Sequence, residues 1–145
     1  MKNLRHVGIV VKDLEKSLFF YRDLLGLKVV RKMDESGSFI DTICGVKNIA
    51  VTTIKLAADD GSLIELLYFH SPESNKAVDK DLNRAGFAHV SFTVENIAEE
   101  YTRLNKAGVY FNSKPQLSSD GLAKVVFCRD NEGNFIELVE ETKKT

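Results

Sequence analysis

The sequence predicts an α+β fold built from two copies of one unit. Each copy contains a strand, a helix and three further strands, in that order. Short apolar runs bounded by turn residues indicate the strands, and one stretch of helical spacing in each half indicates the helix. We place the copies at residues 4–69 and 87–140 of a single 145-residue domain, joined by a linker at 70–86.

The first copy begins with a predicted strand at 4–11. Asp13 is the expected N-cap of a helix that ends at Gly26, because Asp caps helices well and Gly stops them. The residues of its apolar stripe are Leu14, Leu18, Tyr21 and Leu25. Residues 34–48 read as a polar loop of low periodicity. The remaining strands of this copy are predicted at 27–33, 49–57 and 63–69.

The second copy repeats this order from a predicted strand at 87–94. Asn96 and Glu99 resemble a capping box at the start of its helix, and Gly108 follows the end of that helix. The apolar stripe of the helix consists of Ile97, Tyr101 and Leu104. Residues 113–121 are predicted to form a loop. The remaining strands are predicted at 109–112, 122–128 and 135–139.

The spacing between equivalent residues of the two copies supports the repeat. His6 and His89 are 83 residues apart, whereas Glu65 and Glu137 are 72 residues apart. The first copy therefore carries 11 extra residues between its histidine and its glutamate, and the 34–48 loop accounts for them.

Composition excludes several classes of function. The net charge is −1, with no basic face of the kind that nucleic-acid binding requires. No apolar run reaches the roughly 20 residues of a membrane helix. The N-terminus leads directly into a strand pattern, so we expect no signal peptide and a cytoplasmic protein. Two cysteines without a CxxC spacing make no disulfide framework.

The repeated histidines and glutamates are the candidate site. An unpaired carboxylate in a buried strand costs several kcal/mol, and Glu65 and Glu137 both lie in Ile-Glu-Leu strands. A divalent cation bound by His6, Glu65, His89 and Glu137 would offset these costs together. The sequence therefore predicts a metal site with nitrogen and oxygen ligands.

Four stretches resemble the vicinal oxygen chelate superfamily, which includes glyoxalase I, methylmalonyl-CoA epimerase, extradiol dioxygenases, and fosfomycin and bleomycin resistance proteins. They are RHVGIVVKDLEKSLFFYRDLLGL, GSLIELLYF, GFAHVSFTVENI and RDNEGNFIELVEE. The resemblance implies paired βαβββ modules that form a cupped mixed sheet around a metal site.

Within that superfamily the second ligand position separates the reaction classes. Resemblance to the dioxygenases or fosfomycin enzymes implies three ligands, at His6, His89 and Glu137, whereas bleomycin-binding relatives carry no metal set. Bacterial glyoxalase I uses His, Glu, His and Glu, which is the set present here. Glu65 therefore favours glyoxalase-like proton transfer.

The resemblance also implies the reaction. One divalent ion (Ni, Co, Zn, Mn or Fe) would polarise a carbonyl while Glu137 moves a proton beside it, with Glu65 as its counterpart. We expect a lyase or isomerase of the lactoylglutathione lyase type, acting as a homodimer on a small thiol or CoA conjugate. The alternatives are an acyl-CoA epimerase of the methylmalonyl-CoA type, a non-catalytic small-molecule binder and a dioxygenase.

Other candidates are weaker. His70 is expected just beyond the fourth strand, and Glu35 in the solvated 34–48 loop. Residues 39–48 depart from the glyoxalase I pattern, and their apolar side chains either wall the pocket or pin the loop to the core. The arginines that could meet an anionic substrate are Arg22, Arg84 and Arg129.

Overall fold

The computed structural model describes residues 1–75 and 81–142. The chain divides into two compact units, Met1–Ala77 and Val78–Thr145. Part of the predicted linker, residues 76–80, lies outside the described residues. None of the helices in the described ranges is long and apolar enough to cross a membrane.

The first unit contains four strands and two helices. The first helix, α1 (Leu14–Leu18), continues without a break into a π-helical turn, Phe19–Leu24. The elements are β1 (Val7–Val10), α1 (Leu14–Leu18), β2 (Lys28–Ser36), α2 (Ser38–Cys44), β3 (Ala50–Ala57) and β4 (Leu63–Ser71).

The strands of this unit form a mixed sheet in the order β1-β4-β3-β2. β1 pairs with β4 in parallel, and the other neighbours are antiparallel. The tight turn that joins β3 to β4 ends at Gly61, whose φ of 86° is accessible to glycine at little cost. α1 packs against β4, so one face of the sheet is covered by the helix.

The second unit contains four strands and one helix. They are β5 (His89–Thr93), α3 (Ile97–Lys106), β6 (Gln116–Leu117), β7 (Ala123–Arg129) and β8 (Phe135–Glu141). The sheet order is β5-β8-β7-β6, with β5 parallel to β8 and the other neighbours antiparallel. Two mixed sheets of identical order confirm the predicted α+β fold class and its repeat.

The predicted helix starts are confirmed by their caps. The Asp13 side chain accepts a hydrogen bond from the backbone N–H of Lys16. Asn96 accepts from the N–H groups of Ala98 and Glu99, while its own amide donates to the Glu99 carboxylate. Capping oxygens of this kind satisfy N–H groups that the first turn leaves unpaired.

Two predictions of local structure are wrong. Residues 34–48 are not a structureless loop, because β2 continues to Ser36 and α2 follows it. Residues 109–112 form no strand and make only an isolated bridge from Phe111 to Cys128, while β6 lies at Gln116–Leu117 in the predicted loop. In both places tertiary packing, and not local periodicity, sets the element.

Candidate metal centre

In the first unit, His6 and Glu65 face each other. Glu65 on β4 is the strand partner of Gly8 on β1. His6 lies two residues before Gly8, and side chains two residues apart share a face of a strand. His6 Nε2 lies 3.0 Å from Glu65 Oε2, and the two side chains are 28% and 14% exposed.

The second unit repeats this arrangement. Glu137 on β8 is the strand partner of Ser91 on β5, and His89 lies two residues before Ser91. His89 Nε2 lies 3.5 Å from Glu137 Oε2. Each unit therefore brings together one predicted histidine ligand and one predicted glutamate ligand by the same pairing of parallel strands.

Each pair has the spacing of two neighbouring ligands of one ion. Atoms bound at about 2.1 Å and at right angles to each other lie about 3.0 Å apart. The observed separations are 3.0 Å and 3.5 Å. Within residues 1–75 and 81–142, however, no group of three or more His, Cys, Asp or Glu side chains is arranged to hold a metal ion.

The two nitrogen atoms of the His6 ring differ in their surroundings. Its Nδ1 is buried and has no hydrogen-bond partner in the described part of the chain. Buried polar atoms without partners are uncommon and mark positions where a further group belongs. The nitrogen that faces Glu65 is Nε2, so an ion held there would leave Nδ1 unpaired, and this atom does not bear on the metal. The support for a divalent ion is the donor set itself, which offers nitrogen and oxygen atoms and no thiolate.

The neighbours of the two glutamates differ, and the sequence analysis did not single them out. Lys55 on β3 is the strand partner of Glu65, and its Nζ lies 3.5 Å from Glu65 Oε1. The corresponding partner of Glu137 is Phe127 on β7, whose ring meets the His89 ring edge to face at 5.1 Å. The hairpin turns could have predicted these neighbours, because a turn centred near residue 60 places residues 55 and 65 opposite each other on adjacent strands.

The prediction that His70 lies just beyond the fourth strand is wrong, because His70 belongs to β4. Its Nε2 lies 2.8 Å from the hydroxyl of buried Thr52, which donates a hydrogen bond to Asp34. Because that hydroxyl proton is used on Asp34, His70 Nε2 must donate to Thr52. Thr52 is the strand partner of Tyr68, so this chain of hydrogen bonds lies on the sheet face opposite Glu65.

Glu35 also lies outside any loop. It belongs to β2, is partly buried, and pairs with Val51 of β3, which in turn pairs with Phe69. It therefore shares the face of Glu65 but sits four residues further along and two strands away. At about 3.3 Å per residue and about 4.8 Å per strand, this separation is about 16 Å, too far for a direct contact with Glu65.

The helix α2 packs on the same face as Glu65. Ile40 forms a buried cluster with Ile49 and Val51, against which Leu67 and Phe69 pack. The other apolar side chains of the helix, Phe39 and Ile43, are 70% and 62% exposed. The helix therefore bounds the Glu65 face at one end, with Ile40 as the residue that fixes it.

The candidate arginines have local roles. Arg22 forms two hydrogen bonds of 2.8 Å with the neighbouring Asp23. The Arg129 guanidinium lies 4.3 Å from the centre of the Phe135 ring, a cation–π contact. Arg84 is exposed and follows a turn at Asp81. None of these contacts joins an arginine to a predicted ligand.

A family model for the Glyoxalase/Bleomycin resistance protein/Dioxygenase superfamily matches residues 3–138. The chain belongs to this superfamily. A probable lactoylglutathione lyase of Synechocystis is 32% identical over 143 residues, which cover 97% of each chain. The superfamily includes resistance proteins as well as enzymes, so membership identifies the scaffold and not one reaction.

Solved structures agree with the superfamily assignment. A glyoxalase family protein from Bacillus cereus has a TM-score of 0.88 at 27% identity, covering 99% of this chain and 96% of its own. The trypanothione-dependent glyoxalase I of Leishmania major has a TM-score of 0.66 at 25% identity, covering 97% and 88%. These likenesses confirm the predicted superfamily and its fold.

Proposed function

We propose that the protein is a metal-dependent lyase or isomerase of the glyoxalase type, which moves a proton next to the carbonyl group of a thiol adduct. The observation that carries the proposal is the pair of partly buried strand glutamates, Glu65 and Glu137, each held against a histidine at matching positions of the repeat. The lactoylglutathione lyase name of the Synechocystis relative supports the same reaction class.

In this proposal His6, Glu65, His89 and Glu137 together hold one divalent ion, supplied by one chain or by two copies. The ion would act as a Lewis acid that stabilises negative charge on a substrate oxygen. Four protein ligands would leave fewer positions open for substrate oxygens than three, and Glu65 as the fourth ligand is what favours this reaction over that of the dioxygenase branch.

Glu137 is the proposed base. Apart from His89, it has no cationic partner in the described part of the chain, and its strand neighbour is the apolar Phe127. A carboxylate with one contact can turn towards a substrate carbon and take its proton at low cost. Glu65, the counterpart in the first unit, is the second candidate for proton transfer.

The proposed substrate is the adduct of a 2-oxoaldehyde with a low-molecular-weight thiol. Relatives bear names with two different thiols, glutathione for the Synechocystis protein and trypanothione for the Leishmania structure. The thiol must be found by experiment, because α2, at residues 38–44, packs on the same sheet face as Glu65 and would help to set which thiol fits there.

The experiment is an assay of metal-free protein reconstituted in turn with Ni, Co, Zn, Mn and Fe(II). Each form is given methylglyoxal with glutathione or another thiol, and in parallel a methyl-branched acyl-CoA. We expect metal-dependent formation of a thioester of the 2-hydroxy acid. Racemisation of the acyl-CoA without thioester formation would replace this reaction by an epimerase reaction, and failure to retain a divalent metal would overturn both.

The proposal includes a cytoplasmic homodimer. Light scattering of the full chain, with and without metal, tests the dimer. A monomeric mass in the active, metal-loaded form would show that one chain supplies all four ligands.

A further inference from the structure

The two oxygens of the Glu65 carboxylate have different partners. His6 Nε2 lies 3.0 Å from Oε2, and Lys55 Nζ lies 3.5 Å from Oε1. One oxygen therefore faces the predicted ligand histidine and the other faces a fixed positive charge.

Lys55 is unusually well covered for a lysine. Its side chain is 19% exposed, and the residue lies inside β3 between two neighbouring strands. Lysine is seldom covered to this extent unless its charge is paired. The position therefore differs from the solvated lysines on the surface, such as Lys28, whose side chain is 77% exposed beside Asp59.

No such cation lies beside Glu137 in the described part of the second unit. Phe127 occupies the equivalent strand position, so that carboxylate has His89 but no lysine or arginine as a partner within the described residues. The same backbone pairing thus gives one glutamate with a histidine and a lysine beside it and one with a histidine alone.

We propose that Lys55 is a positioning residue that occupies Oε1 of Glu65, so that Glu65 meets a divalent ion through Oε2 alone. The inference rests on the proposed metal centre and deepens it, because it gives the two glutamates different roles. Glu65 becomes the fixed ligand, and Glu137 becomes the carboxylate that moves.

Two physical effects follow from this contact. Lys55 competes with the ion for Glu65 and repels it, so the lysine lowers metal affinity. By keeping the carboxylate from binding through both oxygens, it also preserves space at the ion for the substrate. Removal of the lysine should therefore strengthen metal binding and slow turnover at the same time. A mere loss of stability would weaken both.

The test compares Lys55→Met, which keeps the length of the side chain and removes its charge, with the wild-type chain. Calorimetric titration of metal-free protein with Mn²⁺ should give a Kd about tenfold lower for Lys55→Met. In the proton-transfer assay, kcat should fall about tenfold while the variant stays fully metal-loaded.

Three further variants serve as controls. Lys55→Arg keeps the cation and should restore both quantities towards their wild-type values. Lys32→Met removes the same charge from the opposite face of the same sheet, where Lys32 pairs with Ile54, and should change neither quantity. Phe127→Lys places a lysine beside Glu137 and should weaken Mn²⁺ binding and slow turnover.

The outcomes are separable. An unchanged or higher Kd for Mn²⁺ in Lys55→Met overturns the role of Lys55 but leaves the metal centre standing. Wild-type protein that binds no Mn²⁺ overturns the centre, and the role of Lys55 with it. If the wild-type protein binds Mn²⁺ but turns over no thiol adduct, the proposed function fails while the Kd comparison still tests Lys55. If Lys55→Met does not fold, Lys55→Gln, which also removes the charge, decides the question through the same two measurements.

Discussion

The two units place a histidine and a glutamate with the same strand pairing, yet they surround the glutamate differently. In the first unit Glu65 lies between Gly8 and Lys55, whereas in the second unit Glu137 lies between Ser91 and Phe127. The backbone of the repeat thus places the proposed ligands alike, and the division of roles proposed for them rests on their cross-strand neighbours. A duplicated fold can in this way hold two chemically unequal carboxylates in equivalent positions.

The units also differ away from the glutamates. The first unit carries α2, which packs through Ile40 on the Glu65 face. At the equivalent place, between α3 and β7, the second unit has the two-residue strand β6. The second unit also has a buttressed glutamate: Glu140 of β8 accepts hydrogen bonds from Lys124 and from the backbone N–H of Ile97, at the start of α3. Tyr68 and Thr52 occupy the corresponding positions of the first unit, 72 residues earlier.

The largest expected effect concerns the two glutamates. Glu137→Gln should lower kcat by about 10²–10⁴-fold with most metal retained, because a general base contributes on that scale. Glu65→Gln should act mainly through metal binding, raising the Kd about tenfold or more. Metal titration and steady-state kinetics on both variants check this. If both variants lose the same kcat when fully loaded with metal, the two glutamates do not have different roles.

The next effect concerns α2, which has no counterpart in the described part of the second unit. Ile40 is 8% exposed, so Ile40→Ala should cost about 2–5 kcal/mol of unfolding free energy, as truncations of buried Ile do. The adjacent Phe39 is 70% exposed, and Phe39→Ala should stay within about 0.5 kcal/mol. Urea unfolding measures both. Similar costs for the two variants would show that Ile40 does not fix the helix.

A smaller effect distinguishes the helix caps of the two units. Asn96→Ala should cost about 1 kcal/mol, and Asp13→Ala should also lower stability, because both caps satisfy backbone N–H groups of the first turn. Asp13 is charged and also pairs with Lys16 at 3.1 Å, so its effect should shrink in about 1 M salt, whereas that of neutral Asn96 should persist. Thermal unfolding at two salt concentrations tests the contrast. The same salt dependence for both caps would contradict it.

The smallest effect is a difference in acid sensitivity. The hydrogen bond from Lys124, followed by that from the Ile97 N–H, lowers the pKa of Glu140 from its ordinary value of 4.5. A lowered carboxyl pKa gives stability that is present above the unfolded-state pKa and is lost as pH falls through the folded-state pKa. Glu140→Gln should therefore reduce Tm at pH 6 and flatten the decline of Tm below pH 4.5. Tyr68→Phe, at the equivalent position of the first unit, removes no carboxyl group and should leave that acid decline unchanged. If Tm falls with pH equally steeply in Glu140→Gln and in the wild type, Glu140 does not contribute to the acid sensitivity.

Much of the fold could be predicted because its signals are local. The caps at Asp13 and Asn96 each depend on residues within a few positions. The helix α2 was missed because its one buried contact, Ile40, depends on strands that follow later in the chain. The two-residue strand β6 was misplaced because so short a run has no periodicity to read.

The sequence by itself determined the repeat, the fold class and the superfamily, since strand alternation and turn chemistry act over short distances. It also determined the residue types of the four predicted ligands. Only the tertiary structure decided that each histidine faces the glutamate of its own unit, and that Lys55 accompanies one glutamate and Phe127 the other. Cross-strand register makes these choices, because it joins residues distant in sequence and is fixed only when the sheet packs.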